Sequence, residues 1–265
     1  MSKHFLLSST ICRAFCIGSH MFDDDLVAYA SQCTPAEACG YVVRTQQGDI
    51  FLPVKNSSIE PTQYFRMAPE DFFAAQSKGD VVALVHSHPE GPPFLSSADR
   101  LIQVQSALPW WLICDGSVQR FRCVPPLLGR KFTHGVMDCY TLFQDAYHLV
   151  GIAMPDFSRE DDWWRHGQNL YLENMVATGF RQVKGVPQPG DIMLFCYGCS
   201  VANHAAIYCG GQTILHHLPN QLSKREELTG SWQRRMHSLW RHTAWQPSSF
   251  MGIYNDLVAE FNYRS

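Results

Sequence analysis

His86 and His88 stand one residue apart at the end of an apolar run, Val81-Val82-Ala83-Leu84-Val85. Side chains alternate along a strand, so both imidazoles project from the same face. The run itself reads as a buried strand. A Gly/Pro-rich turn, Pro89-Glu90-Gly91-Pro92-Pro93, leads to a segment from Ser96 to Leu108 whose apolar residues have helical spacing. Asp99, near the start of that helix, can return to the strand end. Two imidazoles and a carboxylate leave zinc a fourth position for water, the arrangement of catalytic rather than structural zinc. Ser96 and Asp99 also form the S-x-x-D pattern of a capping box, which needs no metal.

A second reactive set lies in the other half. In the stretch from Gly135 to Gly151, Leu142, Phe143, Ala146, Tyr147 and Val150 make one apolar helical face, and Gly151 is a stop. Cys139 then sits in the first turn, where unpaired N–H groups and the positive end of the helix dipole favour a thiolate. Buried filler is the commoner fate of a free cysteine. Further on, a strand is expected around 191–196, then a hairpin of 204–209 with 212–217 turning at Gly210-Gly211. The hairpin brings His204 toward a histidine of the other strand. A two-residue turn sets His217 opposite His204, and a three-residue turn favours His216. A nucleophile, a base and a group orienting the base are what a cysteine hydrolase needs.

The spacing His86-x-His88, seven residues, Ser96, two residues, Asp99 resembles the JAMM (JAB) metallopeptidase motif, including Pro89 after the second histidine. The resemblance implies that His86, His88 and Asp99 bind one Zn2+ and that Ser96 helps stabilise a tetrahedral intermediate. It also implies a general base at Glu37, in Glu37-Ala38-Cys39-Gly40, where a helix ends and the first strand begins. The other half resembles the NlpC-type papain-like cysteine hydrolases through Asp138-Cys139, Pro189-Gly190-Asp191 and His204-Ala205-Ala206-Ile207-Tyr208. By that resemblance Cys139 is the nucleophile, His204 the base and, from a spacing of twelve residues, His216 the orienting residue. The family often reads Asp-Cys-Ser-Gly, and Tyr140-Thr141 stand in place of Ser-Gly here, which puts pocket shape and substrate in question.

The chain has 265 residues, enough for two domains of ordinary size, and its 46% hydrophobic content supports real cores. A net charge of −3 without a long basic run argues against a nucleic-acid partner. The cluster Arg234-Arg235 with Arg241-His242 reads as a solvated face. Ten cysteines without disulfide-like spacing fit a reducing compartment. No apolar stretch approaches the length needed to cross a bilayer. The N-terminal Lys3-His4-Phe5-Leu6-Leu7 is broken by Ser8-Ser9-Thr10 and Arg13, so it reads as non-secretory; the JAMM resemblance implies a domain beginning near Met21, which makes Met21 a candidate start. Cys196-x-x-Cys199 is half a zinc knuckle without its second half. Trp163-Trp164 could line a cleft or pack a core, and His134 lies near enough in sequence to assist an oxyanion.

Residues 21–124 read as a JAMM-like α/β domain, a mixed sheet with covering helices. Strands are expected at 41–45, 49–54, 63–67, 81–86, 110–115 and 118–123, and helices near 24–32, 69–78 and 97–108. Val124 to Lys131 reads as a Pro/Gly linker. Residues 132–265 have helices first and an antiparallel sheet later, the α+β order of papain-like folds. A JAMM domain followed directly by an NlpC-type domain resembles the tail tip assembly proteins of lambda-like siphophages. That resemblance implies a late protein of virion assembly in the host cytoplasm, with other tail tip proteins as partners. It implies zinc-dependent peptide or isopeptide cleavage and thiol-dependent hydrolysis of protein or peptidoglycan peptides. A non-catalytic assembly factor with relic sites is the alternative.

Overall fold

Strand propensity and alternation become an ordered sheet in the first half of the chain. The computed structural model describes residues 23–261; the proposed start at Met21 lies outside the described residues. The chain divides into two compact units, one comprising the described residues through Gly91 with Trp111–Gln119, the other Pro92–Trp110 with the remainder from Arg120.

In the first unit, α1 (Asp23–Cys33) is followed by β1 (Cys39–Thr45), β2 (Gly48–Val54), α2 (Pro69–Gln76) and β3 (Asp80–Ser87). β1 pairs antiparallel with both β2 and β3, with Cys39 opposite His86. With β4 (Trp110–Cys114) and β5 (Ser117–Phe121) the sheet order is β2-β1-β3-β4-β5. Three aspartates in the first turn of α1 complement the positive end of its dipole. Leu26 and Ala30 carry the helix onto Val42, Ala83, Val85, Trp111 and Ile113. Full burial of Leu26 alone is worth about 2 kcal/mol.

The strand expected at 63–67 does not form. Those residues are turn and coil. The Asn56 side chain accepts from Arg66 N–H at 3.1 Å, and the Arg66 carbonyl accepts from Ser57 N–H at 2.9 Å, so a local loop takes the groups a ladder would use.

The second unit contains α3 (Ser97–Ser106), α4 (Cys139–His148), α5 (Leu170–Met175), α6 (Gly230–Arg235) and α7 (Phe250–Val258). Its strands are β6 (Phe180–Val183), β7 (Ile192–Phe195), β8 (His204–Gly210), β9 (Thr213–His216), β10 (Lys224–Glu227) and β11 (Met236–His242). They form an antiparallel sheet in the order β10-β9-β8-β7-β11-β6. The apolar face of α4 packs on it through Leu142, Phe143, Ala146 and Tyr147. Gly190, at φ +95°, ends the loop into β7; a Cβ there would meet Trp245 at 1.8 Å, so no other residue fits.

The stretch from Val124 to Lys131, read as a linker, is packed at intervals along its length. Val124 and Leu127 are fully buried in the core around α4. The Arg130 guanidinium holds Asp145 at 2.7 Å and donates to the Pro125 and Pro126 carbonyls, so the prolines stiffen a packed strap. A second buried pair joins α3 to α7. Arg100, with no exposure, donates to Asp256 from Nε at 2.9 Å and Nη2 at 2.6 Å, and also to Gln103 and to the Val124 carbonyl. Asp256 Oδ2 accepts the Leu127 N–H at 2.8 Å. Among the described residues no helix is long and apolar enough to cross a membrane.

Candidate active sites

β3 delivers His86 and His88. His86 is fully buried and Phe65 packs on its ring at 4.9 Å between centroids. The two Nε2 atoms converge to 3.2 Å. Imidazole nitrogens aimed at one another at this distance are what a shared cation requires, so the pair fits zinc by donor chemistry. The pairing of β1 with β3 continues past Cys39 and His86. Ser87 N–H donates to the Ala38 carbonyl at 3.0 Å, and Ser87 Oγ accepts from Ala38 N–H at 2.8 Å. Glu37, next along the chain and buried, therefore falls at the histidine end of the strand pair.

Asp99 sits in the first turn of α3, and the capping box is real. Ser96 Oγ accepts from Asp99 N–H at 3.1 Å, while Asp99 Oδ2 accepts from Ser96 N–H at 2.8 Å. The cap uses one carboxylate oxygen and fixes its orientation, which is compatible with ligation through the other. His86, His88 and Asp99 make up a His-His-Asp donor set.

Cys139 is the first residue of α4, and its neighbour Asp138 is the N-cap. Asp138 Oδ1 accepts from the N–H groups of Tyr140 and Thr141, each at 3.0 Å, and Thr141 Oγ1 accepts from Asp138 N–H at 2.8 Å. Its other oxygen accepts from Gly135 N–H at 2.8 Å and from Arg159 at 2.5 Å. Burial works against this carboxylate's charge, but Arg159 and the N–H donors hold its pKa below the ordinary value. Cys139 Sγ lies 3.2 Å from Tyr171 Oη.

The pull of the helix dipole toward a thiolate is opposed here by burial and by a neighbouring carboxylate. Burial first, and then the Asp138 carboxylate, push the Cys139 pKa up to about 11, against weaker support from Tyr171, the Ala205 N–H and Arg159. Burial, with His216 and His217 beside it, pulls His204 down to about 3. Both groups therefore rest neutral near pH 7. The rate of alkylation of Cys139 by iodoacetamide should thus rise roughly tenfold per pH unit from 7 to 10. A plateau beginning below pH 7 would instead report a preformed thiolate–imidazolium pair.

His204 opens β8 and His216 closes β9. Neither His216 nor His217 stands directly opposite His204. A bulge between Tyr208 and Gly210 shifts the register and sets His216 against Ala206. Ala206 and His204 share a face, so His216 reaches His204 diagonally, with His204 Nε2 at 3.3 Å from His216 Nδ1. His216 Nε2 lies 3.2 Å from Glu226 Oε2 on β10. The Trp232 ring packs edge-on against His216, with centroids 4.9 Å apart. His217 is fully buried against Phe132 and also faces the cavity.

That cavity, of about 310 Å³, is bordered by Cys139, Tyr171, His204, Arg159 and the pair Trp163-Trp164. Trp163 is also part of the core, so both readings of this pair hold. His134 borders the cavity too, engaged with the Arg159 carbonyl at 3.3 Å and with Asp161 at 3.2 Å. Cys196 and Cys199 are free thiols turned to the carbonyls of Ser200 and Val201. Sequence reasoning missed Tyr171, Arg159 and Glu226. An aromatic in α5 and an arginine in a charged loop carry no spacing signal. Lys224-Arg225-Glu226-Glu227 reads as a solvated face.

The model of prokaryotic homologs of the JAB domain matches residues 22–124, and that of the NlpC/P60 family matches residues 129–241. Both are hydrolase families. The tail tip assembly protein K of Escherichia phage lambda is 67% identical over 194 residues, covering 73% of this chain and 98% of that protein. Its counterpart in Escherichia phage N15 is 34% identical over 226 residues, covering 83% of this chain and 93% of the other. An NLP/P60-family protein of Staphylococcus aureus of known structure is 22% identical, over 40% of this chain and 32% of its own, with a TM-score of only 0.28. With a JAB domain ahead of an NlpC/P60 domain, and relatives aligned over nearly their whole length, the chain belongs to the tail tip assembly protein K family.

Proposed function

We propose that the chain is a two-site hydrolase of phage tail tip assembly, working in the host cytoplasm with other tail tip proteins as partners. In the N-terminal site His86, His88 and Asp99 hold one zinc ion. Zinc bound there supplies Lewis acidity for a peptide carbonyl and brings the pKa of water toward neutrality. Glu37 takes the proton of the attacking water on its carboxylate and returns it to the leaving amine. Ser96 donates its hydroxyl to the developing oxyanion. The substrate is a peptide or isopeptide bond, for which a tail protein is the natural candidate.

In the C-terminal site the Cys139 Sγ attacks a peptide carbonyl while His204 accepts the thiol proton. His204 then protonates the leaving amine, and water releases the acyl group from Cys139. His204 Nε2 is engaged by His216, which leaves Nδ1 for the thiol. Transfer at the moment of attack is what two groups resting neutral require. Peptides of bacterial peptidoglycan or of a tail protein are the substrates in view. The observation that carries the reading is the His204–His216 contact in a unit where Cys139 and His204 border one cavity.

Tails assembled with Glu37→Gln or Cys139→Ser test both sites. Defective tips or loss of infectivity with either change supports that site, and normal infectious tails with both would favour a non-catalytic assembly factor. Metal analysis gives a separate check. One zinc per chain is expected in the wild type and in Glu37→Gln, and loss of it in a His86→Ala/His88→Ala variant. Absence of zinc from wild-type protein purified without chelators would sink the metal assignment.

A further inference from the structure

We propose that Glu226 is a positioning residue of the thiol site, fixing the tautomers of His216 and His204 from the far end of a chain of hydrogen bonds. The role rests on Cys139 and His204 being the hydrolytic pair. Glu226 lies on β10, beside the strand that carries His216. Its Oε2 is 3.2 Å from His216 Nε2 and accepts from Lys224 Nζ at 2.8 Å, while Oε1 accepts from Trp232 Nε1 at 3.1 Å. Two oxygens thus meet three donors, a geometry suited to a carboxylate and poor for any neutral side chain.

An ionised carboxylate can only accept. His216 must then carry its proton on Nε2, which leaves Nδ1 bare. A bare Nδ1 at 3.3 Å can only accept from His204 Nε2, so His204 carries its proton there. His204 Nδ1 is left as a lone pair, the state in which it can take the Cys139 proton. Each step follows from the previous one because a neutral imidazole has one donor and one acceptor nitrogen. Once His204 is protonated, the same carboxylate stabilises the cation through His216. Glu226 does not border the cavity that holds Cys139, and its side chain remains about one-third exposed, so its removal should leave the fold intact. Burial of His216 and the edge-on packing of Trp232 fix the ring position; Glu226 fixes which nitrogen holds the proton.

Long-range 1H–15N correlation spectra of the full chain, recorded near pH 7 with labelled histidine, read the tautomers without any substrate. In the wild type both His204 and His216 should be protonated on Nε2 alone. Glu226→Ala should convert His216 to a mixture of tautomers and His204 with it, at an unchanged melting temperature. Peptide release from purified sacculi should fall about ten- to hundredfold in kcat, with KM little changed. Glu226→Gln keeps one acceptor oxygen for three donors and should restore the tautomers and the rate only in part. Unaltered tautomers in Glu226→Ala, or a wild type protonated on Nδ1 of His216, would overturn the proposal. A Cys139→Ser variant as active as wild type would refute the hydrolase reading instead, so the two failures are distinguishable.

Discussion

Exchange of Cys139 for serine should lower release of peptides from purified sacculi by at least about a thousandfold. Serine keeps the size and the contact with Tyr171. Its hydroxyl, however, loses a proton far less readily than a thiol, and a base whose own pKa is pulled down to about 3 cannot compensate. His204→Ala should cost a similar factor, and the double variant little more, if Cys139 and His204 act as one unit in the proposed roles of nucleophile and base. Steady-state rates of muropeptide release measure this. Release unaffected by Cys139→Ser would place any activity elsewhere.

The second large effect is on stability. Arg100 and Asp256 are both almost fully buried, and removing one partner strands the other's charge away from water. Asp256→Ala should therefore destabilise the protein by about 3–5 kcal/mol. It also removes the acceptor for Leu127 N–H. For a unit of this size the expected fall in melting temperature is about 10 °C. A thermal melt followed by circular dichroism reads it, and a shift under about 2 °C would show that water or a relaxed side chain replaces the carboxylate. The helix that carries Asp99 also carries Arg100, so loosening α7 should loosen a proposed zinc ligand. Loss of zinc from Asp256→Ala at temperatures below its melting point checks that coupling.

Much of the fold was legible where local chemistry and tertiary context agree. The apolar run before His86 becomes β3 with both imidazoles on one side. The stripe of Leu142, Phe143, Ala146 and Tyr147 becomes the buried face of α4, capped by Asp138. What escaped was set by distant partners. No spacing signal marks Arg100 as buried, because its counter-charge lies 156 positions away. Phe65 and Arg66 have strand-like composition, but Asn56 and Ser57 claim the backbone groups. The bulge at Cys209 moves one strand against another, and no turn rule for Gly210-Gly211 anticipates that. Val124 to Lys131 has the composition of a linker, yet Val124, Leu127 and Arg130 are buried and the Arg130–Asp145 pair holds it. The dipole at the start of α4 is legible in the sequence, whereas the burial and the adjoining carboxylate that oppose it at Cys139 are read only from the fold.

The protonated resting state of Cys139 has a consequence for chemical durability. Peroxide attacks sulfur in its anionic form, and shielded thiols climb the oxidation ladder slowly. A sulfur pushed up to about 11 is a poor target at neutral pH. Cys139 should therefore resist peroxide at neutral pH and lose that resistance as the pH rises toward 11.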